Sequence, residues 1–276
     1  MQRFVDTMAA LPEHPARMLD SNSDGALASI PYRWGLAGGW IDQPFMSRHD
    51  PEPTAEFMER SGIATSTRRV ASQLWPDGIP DRAPGELVRE LYEAENRNRS
   101  QLSGSQDMIG LIYPGVSRLD YDATYEGGVF PRHIETCTAP DVAAWLERVI
   151  NILPIAARPD GYDPLGDQRL DPLWVRRLGQ TGQDCFSAIL AGDIRALGAA
   201  MGETTRCWDA LLPDSFRHPL LRADLLDVWA EYDSLYDGAG YACSGGGYLY
   251  VVSEAPVPGS FRATVRLTTP EMEADW

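Results

Sequence analysis

PYRWGLAGGWID, residues 31 to 42, is the stretch on which the reading of this chain turns. An apolar run, ALASIPYRW, leads into it and gives way to a pair of glycines, the pattern of a strand entering a tight loop. Gly38 and Gly39 lack a Cβ, so backbone there can come close to a ligand. Asp42, just beyond, offers a carboxylate to the hydroxyls of a polyol. Alone, the same residues describe a surface turn with an exposed Asp, and the motif gains weight only from the segments downstream of it.

Three further segments stand downstream in chain order. Gly62-Ile63-Ala64-Thr65-Ser66-Thr67-Arg68-Arg69 opens a helix expected over 66–75. Unpaired N–H groups at a helix start attract anions, and the hydroxyls of Thr65, Ser66 and Thr67 with the two arginines reinforce this. A capped helix with arginines facing solvent is the competing reading. A Pro-rich link, PDGIPDRAPG (76–85), leads to a helix expected over 85–99, with Leu87, Leu91 and Ala94 on one face. Glu95 lies near its end, and Asp107 comes twelve positions later in Ser103-Gly104-Ser105-Gln106-Asp107. Two such carboxylates suit holding a magnesium ion and orienting or deprotonating a hydroxyl. Last, Cys243-Ser244-Gly245-Gly246-Gly247-Tyr248 sets three glycines before an apolar strand, which implies crowded backbone at a bulge or against a ligand.

Around these segments the spacing predicts an amphipathic helix over 7–20, a polar turn at 21–25 and loop-like chain through 43–60. SQDMIGLIYPG reads as a short helix, and RLDYDATYEGGVF as strand, turn and strand. In the second half, 139–149 has an ambiguous helical periodicity, 149–157 reads as a buried strand and 158–173 as a turn-rich loop. Helices are expected at about 174–202 and 218–236, followed by the Gly-rich segment and FRATVRL. The alternation points to an α+β fold with two layers or lobes meeting near residue 135.

The 276 residues carry 40 acidic and 24 basic side chains, a net charge of -16, and every basic residue other than histidine is arginine. The absence of lysine removes Schiff-base chemistry, a lysine base and the lysine-dependent phosphate loop. Phosphates or carboxylates must then be held by arginine, hydroxyls, a metal or backbone N–H groups. The acidity argues against a nucleic-acid partner. The 4 Cys and 4 His are scattered, without zinc spacing or a disulfide framework. No signal peptide or apolar membrane-length run is visible, so the expected location is cytoplasmic, without a membrane partner. The lysine-free, Arg- and Ala-rich usage looks like that of a GC-rich bacterial genome. Oligomeric state is not legible.

In this order the segments resemble the GHMP kinases, the superfamily of galactokinase, homoserine kinase, mevalonate kinase and phosphomevalonate kinase, nearest its heptose-phosphate and fucose kinase branch. PYRWGLAGGWID is similar to the family's P-x-R-I-x-x-A-G-G-x-x-D. SGSQDM resembles its G-K-Q-D-Q catalytic segment, and CSGGGYLYVV its Gly run before a strand. The resemblance spans roughly residues 28–252. It implies a ribosomal-protein-S5-like N-terminal lobe (1–135), a ferredoxin-like C-terminal lobe (136–276) and a site between them. It further implies ATP and magnesium as cofactors, with a small sugar-like molecule as acceptor. Carried over by residue, Asp107 would activate the acceptor hydroxyl, and Arg33, at a position basic in many members, joins it as a catalytic candidate. Asp42, Gly38, Gly39, Gly245, Gly246 and Gly247 would serve the substrate. Gly62, Ala64, Thr65, Ser66, Thr67 and Arg68 would form the phosphate loop, with Glu95 and Ser66 on the metal.

Two departures qualify the likeness. Where the family's phosphate loop resembles G-x-G-L-G-S-S-S-A, Ala64 replaces a glycine and Arg68 a small residue. The stretch between the first motif and this loop is also shorter than in relatives by several tens of residues. Besides a sugar-type kinase, the sequence therefore admits an enzyme that has lost ATP phosphotransfer. That enzyme would act by acid/base chemistry on a phosphorylated sugar-like substrate, with Arg68 and Arg69 holding the phosphate. A non-catalytic member of the fold is a third reading.

Overall fold

The computed structural model describes residues 34–39, 43–49, 54–59, 65–99, 102–155, 159–221, 224–241, 247–262 and 264–267. The helix expected over 7–20 and the turn at 21–25 lie outside the described residues.

The first half builds an antiparallel sheet in the order β1 (Trp34–Ala37), β2 (Thr54–Glu59), β3 (Val116–Tyr121), β4 (His133–Cys137). The helical turn α1 (Pro44–Ser47) separates β1 from β2. Between β2 and β3 come α2 (Thr65–Leu74), α3 (Pro84–Asn96) and α4 (Gln106–Ile112). After β4, α5 (Pro140–Val149) runs directly into β5 (Ile150–Pro154), every residue of which is buried. Next along the chain are α6 (Pro172–Ala191), α7 (Ile194–Leu211), α8 (Asp214–Arg217) and α9 (Leu225–Leu235). The strands β6 (Gly238–Tyr241) and β7 (Tyr248–Val252) join β5 in a second antiparallel sheet, ordered β5-β7-β6. The fold is α+β.

Several expectations need correction. RLDYDATYEGGVF, read as strand, turn and strand, supplies only part of β3, followed by a 3-10 turn at Glu126–Gly128, and β4 begins later, at His133. The segment 43–60, read as loop, contains both α1 and the six-residue strand β2. TAEFME has little strand propensity of its own. It is extended because it pairs on both sides, with β1 from Trp34↔Glu59 and with β3 from Thr54↔Tyr121 to Glu59↔Val116. Tertiary pairing outweighs propensity at such a position. The helix expected over 174–202 is in fact two. Gly192 adopts φ 65 and ends α6 in the left-handed conformation, and Asp193 caps α7 by accepting from the N–H groups of Arg195 at 3.1 Å and Ala196 at 3.0 Å. Asp224 likewise sets the start of α9, later than the expected 218, by accepting from Leu226 and Asp227.

The core is shared between the halves. Leu91, Met108 and Tyr121 from the first half pack in one buried cluster with Leu178, Trp208 and Tyr241 from the second. A second cluster joins Leu36 and Val116 to Phe186 and Tyr250. The chain returns to the first half once more near residue 266. Phe261 and Ile152 exchange backbone hydrogen bonds at 2.8 and 2.9 Å, and the Val265 N–H donates to Glu147 Oε1 at 2.6 Å. Arg266 Nη2 then donates to the carbonyls of Leu111 (3.2 Å) and Ile112 (3.4 Å), the last residues of α4, while its own carbonyl accepts from Gly115. A guanidinium on orphan carbonyls at a helix C-terminus is favourable both as hydrogen bonding and through the helix dipole.

Candidate active site

Three helix ends meet beside the first sheet. The first turn of α2 supplies Ser66 and Thr67, the last turn of α3 supplies Glu95, and the first turn of α4 supplies Asp107. The Ser66 hydroxyl donates to Glu95 Oε1 at 3.2 Å. The Thr67 hydroxyl lies 3.5 Å from Asp107 Oδ2, at the long end of hydrogen-bonding range. Adjacent residues of one helix start thus each hold one carboxylate. Ser66 is exposed, whereas Thr67 is fully buried and the Glu95 side chain is 1% exposed. The pair of carboxylates therefore lies at the edge of the interior, with one hydroxyl opening to solvent.

The loop between α3 and α4 is fixed from both ends. Asn96 accepts from the Ser103 N–H at 2.7 Å and donates to the Ser103 and Tyr92 carbonyls. Ser105, fully buried, bonds the Tyr121 hydroxyl at 2.9 Å and donates to the Val129 carbonyl at 2.6 Å. Arg99 approaches Glu95 Oε1 to 2.9 Å and also donates to the Ser103 hydroxyl. These contacts place Asp107 relative to Glu95 through local chain.

Gly38 and Gly39 come directly after β1, and Gly38 has φ 75, a conformation glycine adopts without strain. Trp208 of α7 donates its indole N–H to the Gly39 carbonyl at 2.9 Å. Gly247 leads into β7 in the second sheet, and its carbonyl accepts from the Ile155 N–H at 2.9 Å. Arg33, Asp42, Gly62, Ala64, Gly245 and Gly246 lie outside the described residues, as does the side chain of Thr65. Of the two arginines at the helix start, Arg68 is buried and Arg69 is exposed.

Chemically, the cluster offers the start of a helix together with hydroxyls and carboxylates. Glu95 Oε2 is buried without a hydrogen-bond partner, next to the Ser66 hydroxyl. Hard oxygen donors of this kind fit magnesium, which takes one or two protein carboxylates and completes its shell with water and substrate phosphates. Among the described residues no group of three or more His, Cys, Asp or Glu is placed to hold a metal ion, so a site supplied mainly by protein side chains is not formed there. Cys207 is buried in the core beside Trp208, and burial, with Glu203 adding to the effect, pushes its thiol up to about 12.

Asn96, Arg99, Ser105 and Trp208 were not singled out from sequence. Arg99 carried a visible signal, four residues after Glu95 in the stretch 85–99 expected to be helical. Asn96 and Ser105 are ordinary polar residues near a turn, and the Trp208–Gly39 contact spans 169 residues with no local trace.

No protein-family model matches the sequence, and no curated protein matches it. Solved structures do match in fold. A D-glycero-D-manno-heptose 1-phosphate kinase from Bacteriodes thetaiotaomicron aligns over 82% of this chain and 87% of its own, with TM-score 0.51 and 13% identity. Lactococcus lactis galactokinase complexed with galactose aligns over 82% and 84%, with TM-score 0.53 and 11% identity. The Methanococcus jannaschii mevalonate kinase aligns over 81% and 89%, with TM-score 0.51 and 8% identity. The chain therefore has the GHMP-kinase fold. No helix among the described residues is long and apolar enough to cross a membrane.

Proposed function

We propose that this protein is a small-molecule kinase that transfers the γ-phosphoryl group of ATP to a hydroxyl of a sugar or sugar-like metabolite. The observation that carries the reading is the placement of Ser66 against Glu95 and Thr67 against Asp107 at one helix N-terminus. These two pairings support reading Ser66 and Glu95 as metal ligands and Asp107 as a proton acceptor at a helix start suited to phosphate.

In this reading the N–H groups at the start of α2 and the dipole behind them hold phosphate oxygens, a role that requires no lysine. Glu95 and Ser66 hold magnesium, which when bound neutralises charge on the phosphates. Asp107 accepts the proton of the acceptor hydroxyl as its oxygen bonds to the γ-phosphorus and the bridging β–γ P–O bond breaks, releasing ADP. Thr67 holds one oxygen of Asp107 and so orients the other. Catalysis is then mostly positioning, which suits a site built on three helix ends. Asp42 and the Gly38–Gly39 turn serve the acceptor, whose sugar-like character is supported by the fold it shares with a galactokinase and a heptose-phosphate kinase.

The test is nucleotide binding and then turnover. Magnesium and a non-hydrolysable ATP analogue should raise the melting temperature. A panel of free and phosphorylated sugars should then identify an acceptor whose addition releases ADP. Absence of ATP binding at millimolar concentration would sink the reading.

A further inference from the structure

Glu95 already has a cation. Arg99, four residues further on and just past the end of α3, lies with Nη2 2.9 Å from Glu95 Oε1, and the carboxylate it meets is 1% exposed. The other arm of the same guanidinium, Nη1, donates to the Ser103 hydroxyl. Arg99 therefore forks between the carboxylate and the loop that leads to Asp107. Removing a carboxylate from water demands compensating charge, and here one oxygen has it while Oε2 has no hydrogen-bond partner. The guanidinium itself is 40% exposed, on a long flexible stem just past the end of α3, so solvent is open to it.

We propose that Arg99 is a resident counter-ion at Glu95 that a divalent cation must displace. The inference rests on the kinase reading in one respect, that Glu95 is where such an ion binds. A guanidinium and a divalent ion on one carboxylate repel each other at short range in a partly desolvated place, so occupancy by one weakens the other. Arg99 keeps the buried carboxylate neutralised while the site is empty, and it sets a threshold against free metal. An ion arriving with nucleotide phosphates clears that threshold, because the phosphates supply ligands that the protein lacks. The pair thus biases the site toward metal that arrives with nucleotide.

The experiment titrates Mn2+, as chloride and without nucleotide, into the full chain and monitors free Mn2+ by electron paramagnetic resonance. Arg99→Gln should bind Mn2+ at least about tenfold more tightly than the wild type, since the competing charge is gone. Arg99→Lys, which keeps a positive charge, should stay near the wild type, and Arg99→Ala serves in place of the glutamine variant if that one folds poorly. Adding Glu95→Gln to Arg99→Gln should abolish the gain, which assigns the ion to Glu95. Equal affinity of wild type and Arg99→Gln, or a gain that survives Glu95→Gln, overturns the proposal. A parallel titration of the wild type with ADP and magnesium separates the two readings. A Mn2+ gain without nucleotide binding leaves the counter-ion in place and removes the kinase, and nucleotide binding without a Mn2+ gain does the reverse.

Discussion

The indole N–H of Trp208 donates to the carbonyl of Gly39 at 2.9 Å, joining a helix of the second half to the glycine turn after the first strand. Trp208 is 3% exposed, so its ring is core as well as tether. Trp208→Phe keeps an aromatic body and removes the donor. It should cost about 1–3 kcal/mol in urea unfolding, the range for leaving a partly buried carbonyl without its partner. In the kinase reading the same change loosens the acceptor side of the site, so the KM for acceptor should rise more than kcat falls. Equal loss in both would place the glycine turn elsewhere in the cycle.

Asp107→Asn keeps size and the contact with Thr67 but cannot take a proton. Turnover should fall by about 10²–10⁴, the usual contribution of a positioned general base. The thermal shift with magnesium and nucleotide should persist. Steady-state ADP release together with a melting curve on the same preparation reads both quantities, and loss of the thermal shift would count against a role confined to proton transfer.

Cys207 should be silent to thiol reagents in the folded protein at pH 8 and react once urea unfolds it. Its thiol is raised from 9.0 to about 12, chiefly by burial. Linkage sets the sign: between those values the unfolded chain releases a proton that the folded chain retains. The contribution of Cys207 to stability is complete below pH 9.0 and is lost as pH rises toward about 12. Urea midpoints measured from pH 8 to 11 should fall in the wild type more steeply than in Cys207→Ala.

Two glycine substitutions should behave in opposite ways. At Gly85, in the first turn of α3, a Cβ meets nothing within 4 Å, so Gly85→Ala should stabilise the protein by about 0.4–1 kcal/mol through the unfolded state. At Gly198 a Cβ would stand 2.0 Å from the Asp237 carbonyl oxygen, where α7 rests on the start of β6. The obstacle is backbone, which cannot turn aside, and Gly198→Ala should cost at least the 1–3 kcal/mol or so of an overpacked core. Urea unfolding of the two variants beside the wild type checks both.

Much of the architecture was legible because its signals are local. Pro84 marks a helix start, and α2, α3 and α4 fall close to where apolar periodicity places them, whereas 139–149, ambiguous in sequence, folds as α5. Gly192 and Asp193 also spelled out the break between α6 and α7, but the apolar period continues across them and hides it. β2 was hidden for a different reason. Its extended conformation is imposed by partners on either side, and no residue of TAEFME announces them. At the site, motif order singled out Ser66, Thr67, Glu95 and Asp107, and folding brings Ser66 to Glu95 and Thr67 to Asp107. The residues that support them were not legible, because Asn96, Ser105 and Trp208 gain meaning only from atoms brought to them by the fold.

The clasp of Arg266 on the last carbonyls of α4 has a consequence for how the molecule is made. The guanidinium and the helix end it satisfies are 155 residues apart along the chain. At ribosomal speeds of about 5–20 residues per second, that separation is on the order of ten to thirty seconds of synthesis. Throughout that interval the nascent helix bearing Asp107 has emerged but lacks its final restraint. This last restraint on α4 can therefore form only after the ribosome has passed residue 266, and a chain stalled before that point would carry Asp107 on a helix whose final carbonyls lack the Arg266 cap.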